Sequence, residues 1–253
     1  MSPGTAADLS GRRLYLCTPD RPDLASFLDR CIAGGVDVVQ LRDKRLDART
    51  LVERAAVATR VCAGHGVPFV LNDRPDLALD AGADGVHVGQ DDASPALARR
   101  ILGPDAVVGL STHAPRQLER STAEPVDYVS AGPVVPTPTK PGRPGTGAEY
   151  VAFAVAHTQR PVFVTGGVTP DTVPSLAAAG ARHFVVVRYL TESDDPRSAA
   201  ARLRAAIDKS LDGSPGTAPD EHPREHPDEH HEHPHEHPDE FHERQGGGRR
   251  GER

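Results

Sequence analysis

Tryptophan is absent, methionine occurs once and cysteine three times, and aromatic residues make up 4% of the 253-residue chain. No uninterrupted apolar run approaches the ~20 residues of a membrane-spanning helix, so no membrane is expected as a partner. The opening residues, MSPGTAADLSGRR, lack the apolar core of a secretory signal. Cys17, Cys31 and Cys62 are odd in number and lack the spacing of metal ligands. That argues against a disulfide framework and for a reducing, cytoplasmic setting. Each cysteine reads as a small buried apolar residue.

A basic face is lacking too. The formal charge is −7, from 36 acidic and 29 basic residues, and residues 211–253 alone hold 12 of those acids and 5 of those bases. Residues 1–210 are left with 24 of each sign. A neutral body without a basic stripe is not expected to take nucleic acid as a partner. The charged C-terminal segment includes DEHPREHPDEHHEHPHEHPDEFHE (220–243), a low-complexity stretch with one aromatic residue. Such composition cannot bury a core, so residues 211–253 read as a disordered, His-rich acidic tail. Residues 1–13 read as a flexible N-terminus.

What is present lies between. Short apolar runs recur along residues 14–210: LYLCT (14–18), VVQLR (38–42), FVLND (69–73), GVHVG (85–89), VVGLS (107–111), YVSAG (128–132), VFVTGG (162–167) and HFVVV (183–187). They are rich in valine and mostly continuous rather than alternating, as befits parallel strands covered by helices. Helical stretches separate them, among them DARTLVERAAVATRVCAGH (47–65), SPALARRIL (94–102), PDTVPSLAAAG (170–180) and DPRSAAARLRAAIDKS (195–210). Several open on an Asp or Ser cap followed by proline, and several end in glycine. Eight strand–helix units in about 200 residues predict an α/β protein, a single (β/α)8 TIM barrel. A doubly wound sheet rarely needs so many regular units, and no G-x-G-x-x-G follows the first run.

Barrel enzymes carry their chemistry at the C-terminal ends of the strands. Here those ends hold Gln40, Arg42 and Lys44; Asn72 and Asp73; Gln90, Asp91 and Asp92; Ser111, Thr112 and His113; Gly166 and Gly167; and Arg188. Singly, each is explained as well by a solvated turn, and His87 and His113 read as packing or hydrogen-bonding histidines. Together, cations and carboxylates around one mouth suggest a metal–diphosphate site. Asp73 and Asp92 would supply the hard oxygens that Mg²⁺ takes alongside phosphate. The loop GPVVPTPTKPGRPGTG (132–147) sets five prolines, four glycines and three threonines around Lys140. Proline excludes it from helix and central strand. A stiff loop loses less entropy on binding, and Gly142, Gly145 and Gly147 give it pivots for closure.

The motifs VQLRDK (39–44), ND (72–73), HVGQDD (87–92), GLSTH (109–113), GPVVPTPTK (132–140), TGGV (165–168) and VVVR (185–188) together resemble the thiamine-phosphate synthase family, in the family's order. The resemblance spans residues 14 to about 207. It implies that a pyrimidine diphosphate is contacted by Gln40, Leu41, Arg42, Asp43, Lys44, Asn72, Ser111 and Lys140. A thiazole phosphate would be held by Thr137, Pro138, Thr139, Gly167, Val187 and Arg188, and one Mg²⁺ per subunit by Asp73 and Asp92. Lys140, Arg42, Lys44 and Ser111 would be the catalytic groups. Diphosphate would leave the pyrimidine methylene, and the thiazole nitrogen would take its place. The partners implied are small-molecule substrates, and a homo-oligomer is compatible with the sequence. One departure stands out: many members carry serine where this chain has Arg188, and arginine suits bidentate phosphate contact.

The related thiazole tautomerase shares the barrel but would need neither two metal-binding carboxylates nor the lysines at 44 and 140. A metal-storage role for the tail would not account for the rim. Residues 212–253 hold eight of the 13 histidines, and imidazoles suit Ni²⁺ and Zn²⁺, so weak, multisite uptake of these ions is expected there. Deleting the tail should leave fold and synthase activity unchanged while abolishing most nickel or zinc uptake at neutral pH. An inactive or aggregated truncation would place the tail against the barrel.

Overall fold

Eight parallel strands close on themselves in sequence order: β1 (Leu14–Thr18), β2 (Val38–Leu41), β3 (Phe69–Asn72), β4 (Gly85–Val88), β5 (Val107–Thr112), β6 (Tyr128–Ala131), β7 (Val162–Thr165) and β8 (His183–Val186). Each coincides with an expected run to within two residues at either end. The last strand returns to the first, Tyr15 pairing with Val185, which completes the predicted barrel. The computed structural model describes residues 8–136 and 144–212. The expected tail lies outside them from residue 213.

The helices between the strands are α1 (Leu24–Ala33), α2 (Ala48–His65), α3 (Pro75–Asp80), α4 (Pro95–Leu102), α5 (Pro115–Ser121), α6 (Gly147–Ala156) and α7 (Val173–Ala178), followed after β8 by α8 (Arg188–Thr191) and α9 (Pro196–Asp212). Local chemistry sets their ends. Asp47 accepts the Thr50 amide at the start of α2, and Gly66, at φ 64°, closes it in the left-handed region. Ser94 caps α4 ahead of Pro95. Helix α7 starts three residues later than its sequence suggests. The Thr172 hydroxyl takes the Thr169 amide at 2.9 Å and donates to Gly167 O at 2.8 Å, so residues 169–172 form a turn instead.

Side chains alternate across each strand, and here they sort into two separate cores. Leu16, Leu41, Leu71, Val86, Val108, Val129, Val164 and Phe184 point outward and pack with the helices. Tyr15, Val38, Val70, Val107, Tyr128, Phe163 and Val185 fill the interior, and Leu9 joins them. Leu9, read from sequence as part of a flexible N-terminus, is 4% exposed because the segment before β1 packs against the barrel interior. His183 Nδ1 donates to Arg12 O, which ties the same segment to β8.

On four strands the inward position two residues beyond the interior apolar group is polar: Gln40 after Val38, Asn72 after Val70, Ser130 after Tyr128, Thr165 after Phe163. The interior is thus dry in its lower layers and polar at the C-terminal mouth. Gly109 makes room for this arrangement. A Cβ there would lie 2.1 Å from Tyr128 Cζ, inside the ring of a fully buried side chain. Gly109→Ala should destabilise the fold by about 3 kcal/mol, the upper range for overpacking a core. Urea unfolding measures it, and an unchanged midpoint would contradict this packing.

Candidate active site

A cavity of about 710 Å³ opens at the C-terminal end of the barrel, lined from both sides by strand ends. On one side stand Gln40 and Arg42 of the β2 end, Lys44 beyond them, Asn72 and Asp73 after β3, Asp92 after β4 and Ser111 of β5. On the other stand Gly166 and Gly167 after β7, and Val187 and Arg188 after β8. These residues, chosen from separate stretches of sequence, share one space.

Leu41 and Asp43 do not line it. Leu41 points outward into the helix layer, as its parity between Gln40 and Arg42 requires. The Asp43 carboxylate is turned to Arg45, accepting its amide at 2.9 Å and its guanidinium at 3.0 Å. Thr137, Pro138, Thr139 and Lys140 lie outside the described residues.

The carboxylates are held by backbone as well as by charge. Asp73 sits at φ 65°, a left-handed conformation uncommon outside glycine and tolerated best by Asp and Asn. Its amide donates to His87 O at 2.8 Å, pinning the turn to β4. Lys44 Nζ lies 2.8 Å from Asp73 Oδ2, and Asp92 Oδ2 accepts the Gly89 amide at 2.8 Å. The Asp73 and Asp92 carboxyls also bond each other, and they titrate apart. Burial, reinforced by Asp92, raises Asp73 above the ordinary range against the pull of Lys44. Burial pushes Asp92 up as well, but the bond from Asp73, the Gly89 amide and the charges of Lys44 and His87 outweigh it and lower Asp92. Of the two, Asp73 is therefore the carboxyl that gives up its proton less readily.

Among the described residues, neither Arg42 nor Arg188 forms an ion pair, although both line the cavity. Two uncompensated guanidinium groups at one mouth make it a site for anions. Opposite the carboxylates, Gly166 and Gly167 have φ 96° and 78°. A Cβ on either would meet Pro133 or Val135 at 2.6–2.7 Å, so the turn lies flush against the start of the 132–147 loop. Backbone thus faces the cavity beside Arg188 without side-chain obstruction.

The cavity also holds Tyr15, Cys17, Tyr128, Ser130 and Tyr189, which lie outside the motifs, and Thr165 and His87, which lie within motifs but were given no substrate contact. Ser130 and Thr165 carry a usable signal, since each lies two positions past an inward aromatic residue. Tyr189 follows the last strand and has no such mark. Gln90, at the rim but not in the cavity lining, donates its amide to Ser111 O at 2.7 Å and so ties the β4 loop to β5.

A family model of thiamine monophosphate synthase matches residues 14–190. The thiamine-phosphate synthase of Thermobifida fusca is 50% identical over 204 residues, covering 78% of this chain and 92% of that protein. That of Mycolicibacterium smegmatis is 46% identical over 207 residues, with 77% and 91% covered. Among solved structures, thiamine phosphate pyrophosphorylase from Pyrococcus furiosus superposes with a TM-score of 0.72 at 26% identity, over 79% of this chain and 96% of that one. A 3-hexulose-6-phosphate synthase, 22% identical with a TM-score of 0.58 over 77% of this chain and 99% of that one, shares the fold alone. With its barrel closed, its polar mouth assembled and its relatives matched over nearly their whole length, the chain belongs to the thiamine monophosphate synthase family, transferases of thiamine biosynthesis.

Proposed function

We propose that this enzyme joins 4-amino-2-methyl-5-(diphosphooxymethyl)pyrimidine to a thiazole phosphate, either hydroxyethylthiazole phosphate or its carboxylated form, and releases diphosphate. The observation that carries this reading is the division of one cavity into two sides, each with an arginine. Lys44, Arg42 and the Asp73–Asp92 pair line one, and Gly166, Gly167 and Arg188 line the other. Two phosphorylated substrates need two such sides within bonding distance of each other.

The carboxylate pair fits Mg²⁺, which takes few protein ligands, prefers oxygen and completes its shell with water and substrate phosphate. Asp73 and Asp92 would hold one ion per subunit, and when bound it would neutralise charge on the diphosphate oxygens. Arg42, Lys44 and Lys140 bind the same diphosphate and stabilise the negative charge that grows as it leaves. The carbon–oxygen bond breaks with its electron pair going to diphosphate, and the electron-rich aminopyrimidine stabilises the methylene cation. Gln40, Asn72 and Ser111 orient the pyrimidine over the polar layer of the barrel. The thiazole nitrogen, placed by its phosphate on Gly167, Val187, Arg188 and the Thr137–Thr139 loop, then donates its lone pair to the carbon. Water must be kept from the cation meanwhile, which is the task assigned to the proline-stiffened loop.

The direct test is product analysis: purified protein, Mg²⁺ and both precursors should yield thiamine phosphate by mass spectrometry, and no product would refute the proposal. Asp92→Ala should cut turnover by about 100-fold, about 2.7 kcal/mol of barrier, with folding intact. Because Asp73 retains its proton above the ordinary aspartate range, Mg²⁺ must displace it. The Mg²⁺ concentration for half-maximal rate should therefore rise as pH falls through that raised value. Near-normal turnover of the variant at limiting Mg²⁺ would remove Asp92 from the site. Arg188→Ser should raise the KM for the thiazole phosphate and leave that for the pyrimidine nearly unchanged. Equal effects on both would assign Arg188 a structural role.

A further inference from the structure

Strand β5 outruns β4. Their pairing ends with Val88 opposite Leu110, whereas β5 continues through Ser111 and Thr112, paired on its other side with Ser130 and Ala131 of β6. Main-chain groups of successive residues in a strand point alternately to its two neighbours. The Val107 amide donates to Asp84 O on the β4 side, and Thr112 O accepts the Gly132 amide on the β6 side. Ser111, four residues after Val107, therefore turns its carbonyl toward β4, just past the point where that strand ends.

His87 faces Gly109, so a longer β4 would bring the Gln90 main-chain amide to Ser111 O. The Gln90 side chain takes that place instead, donating its amide to Ser111 O at 2.7 Å. A carbonyl only accepts, so the NH₂ end of the side chain must face it. One side chain thus continues the ladder after the main chain has left it. Released in this way, the chain turns: the Gly89 amide donates to Asp92 Oδ2 at 2.8 Å, and Ser94 then caps α4. A Cβ on Gly89 would stand 2.8 Å from the same carboxylate oxygen, so Asp92 is packed against the turn itself. Asp92 lines the cavity and Gln90 does not.

We infer that Gln90 is a positioning residue for the metal ligand Asp92. It fastens the β4–α4 turn to the end of β5 and so fixes the carboxylate that this turn carries into the cavity. The same bond ties the turn to Ser111, so metal ligand and pyrimidine contact are held at one spacing. Gln90 touches neither ion nor substrate; it acts through the main chain. The inference rests on the reading of Asp92 as a ligand of a divalent cation.

The test is Mn²⁺ affinity, read from the free-ion signal in electron paramagnetic resonance with inorganic diphosphate present. Gln90→Met keeps an unbranched side chain and removes the donor. It should weaken Mn²⁺ binding about tenfold, the lower range for a partner behind a metal ligand. Gln90→Asn keeps an amide but is one methylene too short to reach, and it should weaken binding too; it serves if the methionine variant does not fold. Turnover lost in either variant should largely return as Mg²⁺ is raised, which a general loosening of the barrel would not allow. On an Asp92→Ala background, Gln90→Met should change Mn²⁺ affinity no further. Unchanged affinity in the folded single variants, or losses that add in the double variant, would overturn the inference. If Asp92→Ala alone leaves Mn²⁺ affinity unaltered, Asp92 is no ligand and the inference falls with it, whereas thiamine phosphate formation would still uphold the proposed reaction.

Discussion

Everything in the site depends on one constraint: eight parallel strands closed into a ring, each showing alternate side chains to a common interior. Closure makes the inward positions of all strands neighbours regardless of their distance in sequence. Gln40, Asn72, Ser111 and Thr165 thereby face one another across the same opening. Had the sheet stayed open, the same residues would form a polar stripe with no cavity. The interior aromatic residues fill the ring below that opening and hold its polar layer at a fixed height.

Electrostatics then works within a space set by packing. The Asp73 carboxyl is half-buried beside a second carboxyl and a lysine, an arrangement that is costly unless a cation or proton sits between the acids. Its left-handed backbone is a further local strain of the kind that collects at functional sites. On the far side, uncompensated guanidinium charge and a glycine turn pressed against the loop after β6 offer the opposite preference. Carboxylates and a lysine on one side, and an arginine beside a glycine turn on the other, polarise the cavity before any substrate arrives.

Much of this was legible in the sequence, for identifiable reasons. The strands are short, mostly apolar runs buried on both faces, and such runs stand out against helical stretches with clear caps, as at Asp47 and Ser94. Their limits were less legible: β5 continues to Thr112, and α7 starts only at Val173 because a threonine turn replaces its first residues. The four-residue α8 that bears Arg188 has no periodicity to read. In the site, contiguous motifs carried Leu41 and Asp43 along with their inward neighbours, and only strand parity separates them. Of the hydrogen-bonded Tyr15, Tyr128 and His87, only His87 was legible, as a packing or hydrogen-bonding histidine. A strand buried on both faces gives no hint of which face is the interior, and the contacts between β1, β4 and β6 exist only after closure.

The central claim is that the carboxylate pair and the cations beside it jointly bind a metal and a diphosphate. Mn²⁺ in place of Mg²⁺, with inorganic diphosphate added, tests this without any chemistry taking place. Electron–nuclear double resonance should show phosphorus coupled to the bound Mn²⁺, and the coupled species should disappear when Asp73 and Asp92 are both changed to asparagine. Mn²⁺ that binds without phosphorus coupling, or coupling that survives the double change, would contradict the claim.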